Sequence, residues 1–143
     1  MDKTRVLIVD DEEDFAKSLA ERMENRGFAT EIVLNGEEGV ERVKSRHFDA
    51  VVLDMAMPGM DGIETLKAML AINATLQVIV LTGHATVSAG VTAVKEGAFE
   101  FLEKPVKLDA LVVKIGQAKS LSSALSEAKM TDMIDEIMKR RGW

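Results

Sequence analysis

Three four-residue runs are apolar at every position: Val6-Leu7-Ile8-Val9, Ala50-Val51-Val52-Leu53 and Val78-Ile79-Val80-Leu81. A strand with one wet face alternates apolar and polar residues, whereas a strand apolar throughout is buried on both faces. Amphipathic stretches separate these runs. Phe15, Leu19 and Met23 recur every four residues beside Ala16 and Ala20, forming one stripe of a helix that Gly27 ends. Gly36 to Arg46, with Val40 and Val43 inside, and Ile63 to Ile72, with Leu66 and Met69-Leu70, carry the same spacing. Val87, Val91 and Val94 mark a fourth helix that stops near Gly97, and Leu108, Leu111, Val112 and Ile115 mark a fifth. Ala29 to Leu34 and Glu100 to Leu102 complete the set of strands. Strands alternating with helices over short connections predict an α/β fold with a parallel sheet covered on both faces and right-handed crossovers.

A chain of 143 residues is close to the commonest size of one domain. The last composition shift begins near residue 120. We therefore divide the chain into a first domain over 1–119 and a helical tail or linker over 120–143. In the tail, apolar positions at 130, 133, 134, 137 and 138 form a stripe that needs a partner, either its own domain, a second copy or another protein. There is no cysteine, which excludes disulfides, thiolate metal sites and cysteine nucleophiles. The net charge of −6 gives no electrostatic reason to bind nucleic acid or an anionic membrane. No apolar run approaches the roughly 20 residues that span a bilayer, and no secretory leader precedes Val6. These features read as a cytoplasmic protein.

In a parallel α/β sheet, ligands sit beyond the carboxyl ends of the strands. Asp10 and Asp11 follow the first strand, Asp54 ends the third, Thr82 ends the fourth, and Lys104-Pro105 follows the fifth. Three carboxylates, a hydroxyl and an ammonium thus converge on one edge from positions 10 to 104. Each residue has a plainer role when taken alone. Asp10, Asp11 and Thr82 could cap the helices that follow, Asp54 could open a turn, and Lys104 could be a surface lysine. Together they form a phosphate site. Crowded carboxylates repel unless a cation sits among them. With oxygen ligands and no histidine or cysteine in the pattern, Mg2+ fits better than Zn2+. Such a site suits phosphoryl transfer, in which a carboxylate attacks in line while metal and lysine offset the charge on the transferring oxygens.

The set Val9-Asp10-Asp11-Glu12, Asp54-Met55-Ala56-Met57-Pro58-Gly59-Met60-Asp61-Gly62, Leu81-Thr82-Gly83 and Gly97-Ala98-Phe99-Glu100-Phe101-Leu102-Glu103-Lys104-Pro105 resembles the response-regulator receiver family of two-component signalling. The likeness covers about residues 4 to 119. It implies a flavodoxin-like (βα)5 three-layer sandwich, like that of the chemotaxis regulators, with sheet order 2-1-3-4-5 and here a C-terminal helical extension. It also implies roles. Asp54 would accept the phosphoryl group from a sensor histidine kinase, a phosphotransfer protein or a small donor. Mg2+ would be held by Asp11 directly, by Asp10 through water, by Asp54 and by the carbonyl of Ala56. Lys104 would pair with a phosphoryl oxygen, and its bond to Pro105 is often cis in the family. Thr82 would swing onto the phosphoryl group and Phe101 would turn inward. That change would alter the face of the fourth helix, fifth strand and fifth helix, and with it binding to a downstream target, an output domain or a second copy. The resemblance implies a bacterial phosphoprotein that promotes its own phosphorylation and dephosphorylation but is no enzyme with an external product.

Two residues depart from the family's usual pattern. Ala56 stands where many relatives carry a polar side chain that governs water access to the acyl phosphate. Phe101 lacks the hydroxyl of the tyrosine common there. An inward Phe leaves no donor unsatisfied, so the unphosphorylated form should already sample that position. Two other classes are weaker. A phosphatase with an aspartyl-phosphate intermediate commonly carries Asp-x-Asp after its first strand, where this chain has adjacent Asp10-Asp11. A flavin or nucleotide binder needs a Gly- or hydroxyl-rich loop there, and Asp10-Asp11-Glu12-Glu13 would repel its phosphate. His47 and His84 are assigned no catalysis.

Overall fold

A computed structural model describes residues 3–55, 61–83 and 86–140. The elements run in the order β1 (Arg5–Val9), α1 (Glu13–Glu24), β2 (Ala29–Val33), α2 (Gly36–Ser45), β3 (Ala50–Asp54), α3 (Gly62–Ile72), β4 (Val78–Thr82), α4 (Val87–Lys95), β5 (Glu100–Glu103) and α5 (Leu108–Arg140). The five strands form one parallel sheet in the order β2-β1-β3-β4-β5, which is the flavodoxin-like arrangement the sequence implied.

The continuous apolar runs are the inner strands. β3 and β4 are buried at all five positions, and β1 is buried after Arg5. Successive side chains leave a strand on opposite faces, so each run feeds two cores. Val6, Ile8, Val52, Ile79 and Leu81 pack with Leu19 and Met23 of α1 and Leu111 and Ile115 of α5. Leu7, Val9, Val51, Leu53 and Val80 pack on the other side with Val43 of α2, Leu66 and Met69 of α3 and Ala93 of α4. The result is three layers. Apolar burial of this kind contributes roughly 1.5–3 kcal/mol per large side chain, so register is strongly specified: a slip of one residue would exchange the two cores.

Local signals set the helix starts. Asn35 Oδ1 accepts from Glu38 N at 2.8 Å to cap α2, and Asp61 Oδ1 accepts from Glu64 N at 2.8 Å to cap α3. Gly27 and Gly97 take φ of +92° and +115° just past α1 and α4, where a side chain would be strained. No backbone break separates residues 1–119 from the tail, because α5 is one helix of 33 residues. What changes there is burial. Leu111, Ile115 and Ala118 are in the core, while Met130, Met133, Ile134, Ile137 and Met138 are exposed. The stripe therefore does not pack on its own domain. Among the described residues, no helix is long and apolar enough to cross a membrane.

Candidate functional site

The parallel sheet brings the ends of β1, β3, β4 and β5 to one edge, and the five predicted positions can be followed there. Asp10 and Asp54 are both buried. Lys104 reaches across from the end of β5, with its Nζ 3.1 Å from Asp10 Oδ2, 3.2 Å from Glu12 Oε1 and 3.6 Å from Asp54 Oδ1. Its Nζ lies over the Phe15 ring, 4.4 Å from the centroid, so one aromatic face of α1 guides the ammonium into place. Its backbone is held too, since Lys104 N donates to Thr82 O at 2.6 Å, extending the β4–β5 ladder past β5. The Lys104-Pro105 peptide bond is cis.

The Asp10 carboxylate is oriented by its own loop: Glu12 N donates to Asp10 Oδ1 at 2.9 Å. That closes a two-residue turn of the kind short acidic side chains favour. It also turns Glu12 back toward the site. Asp10, Glu12 and Asp54 each offer a carboxylate oxygen within 4.8 Å of the others. Asp11, named by the sequence as a direct ligand, is exposed and outside that group. Glu12 is the member that sequence reasoning gave no role. The available signal was its position two residues after Asp10, but only the turn shows that residues 10 and 12 share a side. Ala56 lies outside the described residues, as do Pro58, Gly59 and His84.

The capping alternative can be checked directly. Glu12 is the N-cap of α1 and makes no side-chain cap bond, and Asp10 serves the turn instead. Thr82 is not the cap of α4, where Thr86 holds that position and bonds Gly83 through its hydroxyl. Thr82 itself is wholly buried, with Oγ1 3.5 Å from the carbonyl of Leu102. Phe101 is half-buried, its ring against α4 beside the Thr82 methyl.

The electrostatics follow from this crowding. Burial pushes the Asp10 carboxyl above its ordinary value, and the Glu12 N–H and the Lys104 ammonium only partly offset it. Burial by itself would lower Lys104. The bond to Asp10, the charges of Asp54 and Asp10 and the bond to Glu12 outweigh it, so the ammonium is held above its usual range. Three carboxylates around one lysine leave negative charge in excess. A hard divalent ion fits that donor set, which is all oxygen and half walled by protein. When bound, such an ion supplies charge neutralisation for a phosphoryl group. The chain's own parts could hold a phosphoryl oxygen at Lys104, donate from Thr82, and offer Asp54 as a nucleophile.

Comparison with known proteins agrees. The profile of the response regulator receiver domain matches residues 6–116. The chain is 36% identical over 125 residues to the regulatory protein AtoC of Escherichia coli, covering 87% of this chain and 27% of that protein. It is 34% identical over 133 residues to the transcriptional regulatory protein FixJ of Bradyrhizobium diazoefficiens, covering 92% of this chain and 65% of that one. The chain thus spans about a quarter of most of the curated relatives it matches. A crystal structure of a response regulator receiver domain protein from Clostridium thermocellum superposes with a TM-score of 0.82 at 31% identity, over 85% of this chain and 98% of that one. With that profile over most of its length and that geometry at its strand ends, the chain belongs to the response regulator receiver family of two-component systems.

Proposed function

We propose that Asp54 is the phosphoryl acceptor of a phosphorylation switch. The observation that carries this reading is the Lys104 ammonium set between Asp10 and Asp54, with a third carboxylate within 4.8 Å. An Asp54 oxygen attacks the phosphorus of a phosphohistidine or of a small acyl phosphate. The new O–P bond forms as the P–N or P–O bond breaks, and the leaving group departs with its electron pair, an imidazole taking a proton from water and a carboxylate leaving as the anion. Asp10, Asp54 and either Glu12 or Asp11 would hold Mg2+, with the Ala56 carbonyl as a further donor. Lys104 binds one phosphoryl oxygen, and Thr82 turns its hydroxyl from Leu102 to another. The charge change then biases the surface formed by α4, β5 and α5 between two arrangements. Water later attacks the acyl phosphate and restores Asp54, so the chain ends its own signal and releases only phosphate.

Because the relatives extend well beyond this chain's length, the surface is proposed to act on an output domain or a separate protein target. The exposed apolar residues between 130 and 138 suit contact with that target or with a second copy of α5. A histidine kinase or phosphotransfer protein is the proposed donor, in the cytoplasm of a bacterial cell, with no direct contact to nucleic acid or membrane.

The test is to incubate the chain with acetyl phosphate, with and without Mg2+, and weigh it intact beside Asp54→Asn. A Mg2+-dependent gain of one phosphoryl mass that the variant lacks supports the reading. No gain, under conditions that label a known receiver, would leave a binding module that works without phosphate.

A further inference from the structure

α4 crosses the end of the sheet with Gly90 at the point of contact, and Gly90 is buried. A Cβ at this position would stand 2.8 Å from Thr82 Cγ2, 2.9 Å from Phe101 Cγ and 3.0 Å from Phe101 Cδ2. Side-chain carbons do not approach that closely, so something would have to move. Neither neighbour can yield by a small shift. Thr82 Cγ2 is one bond from the Cβ of a wholly buried residue in the fully buried strand β4. The contacted atoms of Phe101 lie at the root of its ring, so relief means turning the whole ring out. Helix propensity argues for alanine here, since glycine is a poor helix former and alanine the best. The missing Cβ is thus a notch in α4 that the Thr82 methyl and the Phe101 ring share.

The notch has two consequences. With its methyl seated toward α4, Thr82 presents its hydroxyl to β5, where Leu102 O lies at 3.5 Å. And Phe101 packs, half-buried, against α4 and the Ala93 side of the core. We infer that Gly90 is a positioning residue of the switch: by leaving room for Phe101 beside Thr82, it sets how far the unphosphorylated chain already holds the inward arrangement. The inference rests on the phosphorylation switch proposed above. Gly90 itself touches no reacting atom. It acts through Thr82 and Phe101.

The experiment incorporates fluorophenylalanine at all five phenylalanines of the full chain, and the Phe101 signal is assigned by its loss in Phe101→Leu. Solvent exposure of that ring is read from the fluorine shift between H2O and D2O. Without phosphate or Mg2+, the wild-type Phe101 signal should sit between the buried limit and the value of the free amino acid, as a half-buried ring requires. In Gly90→Ala it should move toward the value of the free amino acid. An unchanged Phe101 signal in Gly90→Ala would overturn the inference. Where Gly90→Ala does not fold, the Gly90→Ala/Thr82→Ser/Phe101→Ala chain, which clears all three close atoms, must recover the native circular dichroism; failure to recover overturns the inference as well. The link to the switch is read by adding acetyl phosphate and Mg2+. If Asp54 labels and the Gly90→Ala ring returns toward the buried limit, the positioning role stands. If Asp54 labels and the ring stays out, Gly90 is packing alone. If Asp54 does not label, it is the switch reading that has failed, and the exposure result without phosphate is unaffected.

Discussion

Replacing Lys104 by methionine keeps an unbranched apolar stem and deletes the ammonium, with its ion pairs and its place over the Phe15 ring. At an effective dielectric of about 20, the contacts at 3.1, 3.2 and 3.6 Å are each worth about 5 kcal/mol of attraction before solvation is counted. Each pair of carboxylates within 4.8 Å repels by about 3.5 kcal/mol or more on the same scale. Glu12 is largely in water, which screens its share. Asp10 and Asp54 are not so screened. Without the ammonium their repulsion stands alone, limited by the ability of a crowded carboxyl to take up a proton. Deleting one partner of a buried pair costs about 3–5 kcal/mol, and the open side of this site places Lys104→Met near about 3. In a domain of this size that lowers the melting temperature by roughly 10 °C. The same variant should bind Mg2+ roughly tenfold more tightly, because it removes an ammonium that would repel a divalent cation held by the same carboxylates. Thermal unfolding in chelator gives the first quantity, and a calorimetric Mg2+ titration gives the second. A variant that melts with the wild type in chelator, or that binds Mg2+ no better, would refute the charge balance described here.

Asp54→Asn should abolish phosphoryl labelling while leaving the far-ultraviolet circular dichroism native, as intact mass and spectra together will decide. Asp10→Asn should raise the stability of the metal-free chain by about 0.5–2 kcal/mol and remove its stabilisation by Mg2+. Because burial raises the folded pKa of Asp10 above 3.8, the folded state binds the extra proton, and wild-type stability falls as pH rises through the window between the two values. Urea melts across that window should lose this slope in the variant. At the middle of the edge strand β2, Glu31 receives Arg42 at 2.7 Å, Arg46 at 2.5 Å and Arg5 at 3.5 Å. Burial pushes its carboxyl up, but Arg46 and Arg42 outweigh it and the net is a lowered pKa. The stabilisation is therefore present above the ordinary value of 4.5 and lost as pH falls through the lower folded value. Glu31→Gln should cost about 1 kcal/mol at neutral pH and nothing in strong acid. Ile137→Asp should leave the receiver's stability within about 0.5 kcal/mol, since nothing in the domain packs on that position; a loss of several times that would mean the tail is docked.

The parts of the fold legible in the sequence are those where one local pattern had only one physical solution. β1, β3 and β4 could be read because a strand buried on both faces has no polar positions, and Asp10, Asp54 and Thr82 could be placed because each closes such a run. Lys104 followed from the short β5 before it. Glu12, Phe15 and Gly90 were not legible. Their roles depend on which way a turn sends a side chain, or on what a missing atom leaves room for, and neither leaves a periodic trace. The difference between Asp11 and Glu12 is of this kind: two adjacent acids look alike in sequence, and the turn closed by Glu12 N on Asp10 Oδ1 goes with a Glu12 carboxylate 3.2 Å from Lys104 Nζ. The boundary near residue 120 was legible as a change of composition but is not a change of backbone. No Gly or Pro stands between Gly116 and Arg140 to stop the helix, so α5 runs on past the last core contact at Ala118.

The charge count explains why Thr82 is built as it is. Asp10, Glu12 and Asp54 against Lys104 leave two negative charges in excess. On the proposed chemistry a divalent cation cancels these. Phosphorylation then replaces the single charge of Asp54 with the roughly −1.5 to −2 of a phosphate and its added acceptor oxygens. The site turns negative again, with new acceptor oxygens beside Lys104. A neutral donor must come from nearby. Thr82 is one residue past the strand position that pairs with Asp54, on the adjacent strand. Its present acceptor lies at 3.5 Å, the outer limit of a useful hydrogen bond. Leaving Leu102 therefore sacrifices little, and a short bond to a charged oxygen gains about 1.5–3 kcal/mol. That difference is what the proposed switch has to spend on moving α4 and Phe101, and it is large enough to invert a two-state population only where the two arrangements are already close in energy. On the inference above, a Phe101 ring received by the notch at Gly90 meets that condition.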